Sequence, residues 1–363
     1  MKRQGAIVYC QGAYRTANGK TAHGLVRHSR RFSVLSVIDD TCRGDARMLI
    51  DGISGDIPMV ADMGAAMGAA AGRGIQPEVL VIGLAPDGGS LPAHAREAVA
   101  YALRKGLDVV SGLHDYLGDD QELAALAKRH GCSIYDIRKP KAAAELHFYS
   151  GKVEEVTAKK ILILGTDSAV GKRTTAWLLR DALARQGLRS EMIGTGQTAW
   201  LQGAAYTIMM DAIINDFVAG EVDHVIWRAW RETGADVLVI EGQGSLLHPA
   251  YPGGFELIAA GKPDCIVLQH APARKTYDGF PHIAMHPLQH QLEAVACIAG
   301  QMPGAMVVNR EGLTAADIPV VCRTLTASTG IPCFDVLAQG ANELALAVLR
   351  TLKDKEIRYE KER

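Results

Sequence analysis

No apolar run in this 363-residue chain approaches the ~18 residues that span a bilayer, so no membrane partner is expected. The run Ala6–Cys10 behind Lys2 and Arg3 is too short for the core of a signal peptide. No C-x-x-C pair is present. The seven cysteines, Cys10, Cys42, Cys132, Cys265, Cys297, Cys322 and Cys333, are odd in number and scattered. That pattern argues against a zinc site or a disulfide framework, and it suits a reducing cytoplasm. No long basic run occurs either. With 39 Lys and Arg against 40 Asp and Glu, the net charge is -1, which gives no electrostatic reason to expect nucleic acid. Internal repeats and low-complexity tracts are also missing.

What the chain does contain is ordinary globular composition, 48% hydrophobic and 22% charged, in a length that favours two domains over one core. The first half alternates short apolar runs, Ala6–Tyr9, Val34–Ile38, Val79–Ile82 and Asp108–Val110, with helical patterns at Ala61–Ala71, Pro92–Lys105 and Asp120–His130. Gly106 and Gly131 follow the last two helices as C-terminal caps do. Such alternation predicts a parallel α/β sheet. The stretch Arg138–Lys159 breaks the rhythm and reads as the link between a domain at 1–145 and one at 146–363. The rhythm then resumes with strands at Ile161–Leu164, Val237–Ile240, Cys265–Leu268 and Ala305–Val308, and with helices at Arg173–Gln186, Thr207–Thr233, His290–Gly300 and Asn342–Leu352. The charged tail Lys353–Arg363 reads as a solvated, fraying end.

The strongest local signal is Gly165-Thr166-Asp167-Ser168-Ala169-Val170-Gly171-Lys172-Arg173-Thr174-Thr175, which follows a strand and opens a helix. This is the context of a phosphate-binding P-loop. Glycines let the backbone curl its amides inward, the helix start adds partial positive charge, and Lys172 adds a full one. The loop has five residues rather than four between Gly165 and Gly171, and Arg173 stands where a magnesium-binding hydroxyl is usual. Thr174, one step later, is available for that task or for a phosphate. An ordinary glycine-rich strand-to-helix turn is the plainer alternative.

Ligands of open α/β sheets bind beyond the carboxyl ends of the strands, and polar residues gather there. Glu241-Gly242-Gln243-Gly244-Ser245 follows one strand, Gln269-His270 with Arg274 and Lys275 another, Asn309-Arg310 a third, and Gly194-Thr195-Gly196-Gln197 a short segment near Met192. Glu241 suits a general base or a water-mediated metal contact, while Gln243 and Ser245 suit a carboxylate or carbonyl of the substrate. Taken singly, each is as well explained as a turn residue satisfying its own backbone. Asp211 and Asn215 are spaced to share a helical face, as are Arg228 and Arg231; the arginines suit bidentate carboxylate binding or an interhelical salt bridge. His248, His282, His286 and His290 fit no metal-ligand spacing, so no metal is assigned. In the first half, Gly19–Gly24 only superficially resembles a phosphate loop. Asp39-Asp40 ends a strand, and Gly83 with Pro86-Asp87-Gly88-Gly89-Ser90 ends another before a helix; the latter suits an anion-binding turn, but a plain strand-to-helix loop is the better account.

The loop Gly-Thr-Asp-Ser-Ala-Val-Gly-Lys resembles that of dethiobiotin synthetase and its P-loop relatives, as does the glutamate-glycine pair Glu241-Gly242. The wider pattern is more similar to a two-domain P-loop family that includes the D-glutamate N-acetyltransferases. Lys20–Arg27, Gly83–Ser90, Lys172–Thr175, Glu241–Leu246 and Gln269-His270 with Arg274-Lys275 carry that likeness. It implies a Rossmann-like N-terminal domain, a P-loop C-terminal domain, and transfer of acetyl from acetyl-CoA to the amine of D-glutamate. The loop Gly165–Thr175 would then hold the CoA pyrophosphate. His270, His248 or Glu241 would serve as base, Gln243 or backbone amides would meet the oxyanion, and Arg228, Arg231, Arg274 and Lys275 would meet the two carboxylates. Two other readings stand beside it: an ATP- and magnesium-dependent ligase or kinase, and a non-catalytic nucleotide sensor. A small-molecule substrate and a homodimer are expected, the dimer on general frequency alone.

Overall fold

The computed structural model describes residues 3–361. The chain resolves into two compact units, Met1–Lys141 with Gly196–Ala204 and Ala142–Thr195 with Ala205–Arg363. A single boundary near residue 145 does not anticipate the excursion of 196–204.

The first unit is a six-stranded parallel sheet. Its strands are β1 (Gln4–Tyr9), β2 (Phe32–Ile38), β3 (Met59–Val60), β4 (Val79–Ile82), β5 (Asp108–Ser111) and β6 (Ile134–Asp136). They lie in the order β3-β2-β1-β4-β5-β6, a doubly wound arrangement that reverses direction beside β1. The central strands are buried on both faces, as their unbroken apolar runs require. Helix boundaries follow local chemistry. Asp120 accepts from the amides of Glu122 and Leu123 and starts the helix Gln121–His130, and Gly131 ends it in the left-handed conformation.

The second unit contains β7 (Lys159–Gly165), β8 (Ser190–Gly194), β9 (Tyr206–Thr207), β10 (Val237–Glu241), β11 (Cys265–His270), the hairpin strands β12 (Thr276–Tyr277) and β13 (Phe280–Ala284), β14 (Ala305–Val308) and β15 (Cys333–Phe334). The main sheet runs β15-β14-β11-β7-β10-β8-β9, and the hairpin pairs only with itself. β7 is therefore central, with β10 on one side and β11 on the other, in a register that sets Gln269 beside Gly165 and Glu241 beside Ile163. Ile161, Leu162, Ile163 and Leu164 are 0–2% exposed. Burial on that scale is worth about 1.5–3 kcal/mol per side chain, which makes β7 a rigid base for the loop that follows it. Among the described residues no helix is long and apolar enough to cross a membrane.

Three segments depart from the sequence reading. The pattern Thr207–Thr233 is not one helix: β9 and a short turn at Met210–Ala212 precede the helix Asn215–Thr233, and Ile213 between them is extended. Asp211 and Asn215 therefore share no helical face. The supposed link packs onto the second unit, where buried Asp223 accepts from the amide and hydroxyl of Ser150 and from the amide of Val153. The charged tail continues the helix Asn342–Lys361. Lys355 anchors it by donating to the carbonyl of Asp264 at 2.6 Å; Glu362 and Arg363 lie outside the described residues.

Candidate functional site

The loop after β7 has the form its sequence predicts. Gly171, at φ +105°, turns the chain into the helix Lys172–Arg185. A side chain is disfavoured in that backbone conformation. Ala169 also adopts a left-handed backbone, φ +52°, which a non-glycine residue holds only where its surroundings impose it. The first bond of the helix runs from Thr175 N–H to the carbonyl of Gly171. The amides of the first turn, which no α-helix can satisfy internally, sit at the mouth of the loop.

Lys172 is buried, and its ammonium donates to the carbonyls of Asp167 at 2.8 Å and Gly244 at 2.7 Å. An ammonium has three donors, so one remains. Burial lowers its pKa to about 8, against the opposing pull of Glu241 and Asp167, so it is still charged at neutral pH. Gly244 can approach this closely because it lacks a side chain: at φ +48° a β-carbon there would lie 2.0 Å from the carbonyl oxygen of Tyr251.

Glu241 ends β10 on the adjacent strand and is buried. Its Oε2 accepts from the amide of Thr195 at 3.2 Å. Desolvation raises its pKa, partly offset by Arg173, the Thr195 amide and Lys172. A carboxylate shifted toward neutrality is a better proton acceptor at working pH. Gln243 donates to the carbonyl of Thr195 at 2.5 Å. The Ser245 hydroxyl is buried and has no hydrogen-bond partner among the described residues, as befits a group that meets a ligand. On the other flank, Thr166 Oγ1 and His270 Nδ1 are 3.0 Å apart, and burial lowers the His270 pKa to about 4. His270 is therefore neutral at pH 7.

Five of the expected site residues are engaged elsewhere in the protein. The Asp167 carboxylate is engaged within the protein: fully buried, it accepts from its neighbour Ser168 N–H, from Arg274 at 2.8 Å and from Asp278 N–H at 2.9 Å. Arg274 spends its charge on Asp167, on the Ser168 carbonyl at 2.8 Å and on Glu311, which leaves it unsuited to a substrate carboxylate. His248 is enclosed by Tyr251, Tyr277 and Phe280. Its Nδ1 accepts from the amides of Ala250 and Tyr251, and its Nε2 lies 3.3 Å from Asp167 without hydrogen-bond alignment; it supports the loop rather than serving as the base. Arg228 and Arg231 stand apart from the cluster. They lie near the end of the helix that leads back to the start of β10, where Arg228 covers Tyr206 and approaches Glu232, and Arg231 covers Trp227. Lys275 is exposed at the foot of the hairpin.

Other residues complete the site without an assigned role in the sequence. Gln269 accepts from the Thr175 hydroxyl at 2.5 Å, and Asn309 donates to the Val170 carbonyl at 2.8 Å. Both are polar residues ending apolar strands, which is a readable signal of place but not of partner. Asp278 docks the hairpin through its backbone. The Asp278-Gly279 pair between two short β-prone runs is a hairpin signature that the sequence reading overlooked. Because Asp167 is a buried carboxylate with one cationic partner, Arg274→Ala is expected to cost about 3–5 kcal/mol. Chemical denaturation checks this, and a loss under 1 kcal/mol would show that the pair does not organise the loop. Among the described residues no group of three or more His, Cys, Asp or Glu side chains forms a metal cage.

Residues 147–345 match a family model described as "Domain of unknown function (DUF1611_C) P-loop domain". Residues 16–140 match "Domain of unknown function (DUF1611_N) Rossmann-like domain". A D-glutamate N-acetyltransferase of a Pseudoalteromonas species is 32% identical over 273 residues, covering 74% of this chain and 80% of that protein. A second D-glutamate N-acetyltransferase, of Tritonibacter scottomollicae, is 30% identical over 279 residues, covering 75% and 81%. The crystal structure of a DUF1611 family protein from Anabaena variabilis superposes with a TM-score of 0.86 at 32% identity, covering 96% of this chain and all of that one. The two parallel-sheet units, one Rossmann-like and one carrying the P-loop, together with these likenesses across both, show that the chain belongs to the DUF1611 family.

Proposed function

We propose that the protein transfers acetyl from acetyl-CoA to the amino group of D-glutamate. The observation that carries this reading is the loop itself: a buried ammonium fixed between two carbonyls at a helix start, with Arg173 where phosphoryl-transfer sites place a hydroxyl for magnesium. Such a loop suits a pyrophosphate that is gripped and not cleaved. The names of the two curated relatives support acetyl as the transferred group and D-glutamate as the acceptor; CoA as the acetyl carrier is this proposal's own.

In this reading Lys172 and the first-turn amides hold the CoA pyrophosphate, and Arg173 adds charge. Glu241 takes a proton from the substrate ammonium. The freed amine attacks the thioester carbonyl; a C–N bond forms, the C–S bond breaks, and the departing CoA thiolate takes the second proton that the acylated nitrogen gives up. Ser245 and Gln243 are available to the oxyanion or to a substrate carboxylate. His270 remains a second candidate base because it is neutral, although a pKa of about 4 makes it the weaker one. Lys275, exposed at the foot of the hairpin, is available to a substrate carboxylate. A cytoplasmic homodimer belongs to the same proposal, and sedimentation velocity measures the dimer.

The test is thiol release from acetyl-CoA by the purified chain. It is expected to require D-glutamate, to be much slower with L-glutamate, and to be indifferent to magnesium chelation. Magnesium-dependent ATP turnover without thiol release would establish the ligase or kinase reading instead. Arg173→Ala is expected to weaken acetyl-CoA binding about tenfold, the loss of one charge-assisted contact. Unchanged affinity by calorimetry removes Arg173 from the cofactor site.

A further inference from the structure

Thr195 follows β8 and is fully buried. β8 pairs in parallel with β10, in a register that sets Ile193 beside Ile240. The residue after β8 therefore comes to lie beside the turn after β10. That turn is Glu241-Gly242-Gln243, and it passes close over the central strand: a β-carbon on Gly242 would lie 2.2 Å from the carbonyl oxygen of Ile163.

Each polar group of Thr195 is spent on this turn. Its amide donates to Glu241 Oε2 at 3.2 Å, its hydroxyl donates to the Glu241 carbonyl at 3.1 Å, and its own carbonyl accepts from Gln243 Nε2 at 2.5 Å. The chain leaves the second unit at the next residue, Gly196, so an anchor is needed here. Bonds to backbone alone would supply one. Two of these three bonds instead hold side chains of the candidate site, a carboxylate and an amide.

A base works only when its oxygen is held within reach of the proton it takes, and a glutamate side chain has to lose rotamer freedom to be held so. A buried carboxylate also needs donors to replace water. The Thr195 amide meets both requirements at Oε2, and the hydroxyl fixes that amide by tying Thr195 to the backbone of the residue it serves.

We propose that Thr195 is a positioning residue, which orients the Glu241 carboxylate as base and the Gln243 amide beside it. The inference rests on the acetyl-transfer reading for the reaction that the base serves.

The test compares Thr195→Val, which keeps the branched shape and loses the hydroxyl, with Thr195→Ser, which keeps the hydroxyl. The valine variant is expected to lose about 5–10-fold in kcat, the worth of one buried hydrogen bond, while acetyl-CoA affinity stays within about twofold. The pH dependence carries the signature. Burial raises the Glu241 pKa, and Arg173, the Thr195 amide and Lys172 pull it down. A loosened amide removes one of those opposing influences, so the acid limb of kcat/KM moves to higher pH in the valine variant and returns in the serine variant. Carbon-13 resonance of the glutamate carboxylates, with the Glu241 signal identified by its absence in Glu241→Gln, follows the same titration without any turnover. If the valine variant does not fold, Thr195→Ala carries the same expectations. A parent that releases no thiol with D-glutamate sinks the acetyl-transfer reading, and the carbon-13 titration then judges Thr195 by itself. Unchanged kcat in the valine variant, a Glu241 signal that titrates as in the parent, or a serine variant as impaired as the valine one each overturns the proposal.

Discussion

Lys172→Ala is expected to weaken acetyl-CoA binding by two to three orders of magnitude. The side chain is buried, and its ammonium is already positioned by two carbonyls. Removing one partner of a desolvated charge pair costs about 3–4 kcal/mol, which is that factor in affinity. The same residue sets a pH limit. Its pKa of about 8 lies below the ordinary lysine value because burial disfavours the charged form. The charge is therefore present below pH 8 and is lost as pH rises through it. Acetyl-CoA affinity measured by calorimetry is expected to be flat near neutrality and to decline above about pH 8, and the decline is expected to vanish in Lys172→Ala. A variant that binds acetyl-CoA as tightly as the parent removes the loop from the cofactor site.

Glu241→Gln is expected to lower kcat about 10²–10³-fold, the usual worth of a general base, while acetyl-CoA affinity stays within about threefold. Glutamine keeps an oxygen for the Thr195 amide and the same shape, so the strand end stays folded, but it cannot take a proton. Burial raises the pKa of Glu241 above the usual carboxylate range. Its basic form therefore accumulates as pH rises, and the acid limb of the parent's kcat/KM profile belongs to it. With the alkaline limb from Lys172 near pH 8, the profile is bell-shaped. The glutamine variant loses the acid limb and keeps the alkaline one. If kcat is unchanged and the acid limb persists, the base is another group, and His270→Gln becomes the next variant to measure.

Much of the site was legible because it is local. The loop Gly165–Thr175 combines a buried strand, glycines, a lysine and a helix start within eleven consecutive residues. No distant contact is needed to recognise it. Glu241, Gln243, Ser245, Gln269 and Asn309 were legible as a set of strand ends, because polar residues that close apolar runs of a parallel sheet fall on one edge. The charged residues were misread where their partners are far off in sequence. Asp167 is 107 residues from Arg274 and 111 from Asp278, and no spacing rule connects them. Arg228 and Arg231 share a helical face as expected.

From sequence alone came the α/β class, two domains and the phosphate loop, because hydrophobic period, glycine and the strand-to-helix transition act over a few residues. Only the tertiary structure decided which polar groups keep an unclaimed donor or acceptor and which neutralise one another. Burial makes a lone charge costly, so Asp167 and Arg274 pair off across the fold, whereas Glu241 keeps a shifted pKa and Ser245 an unclaimed hydroxyl.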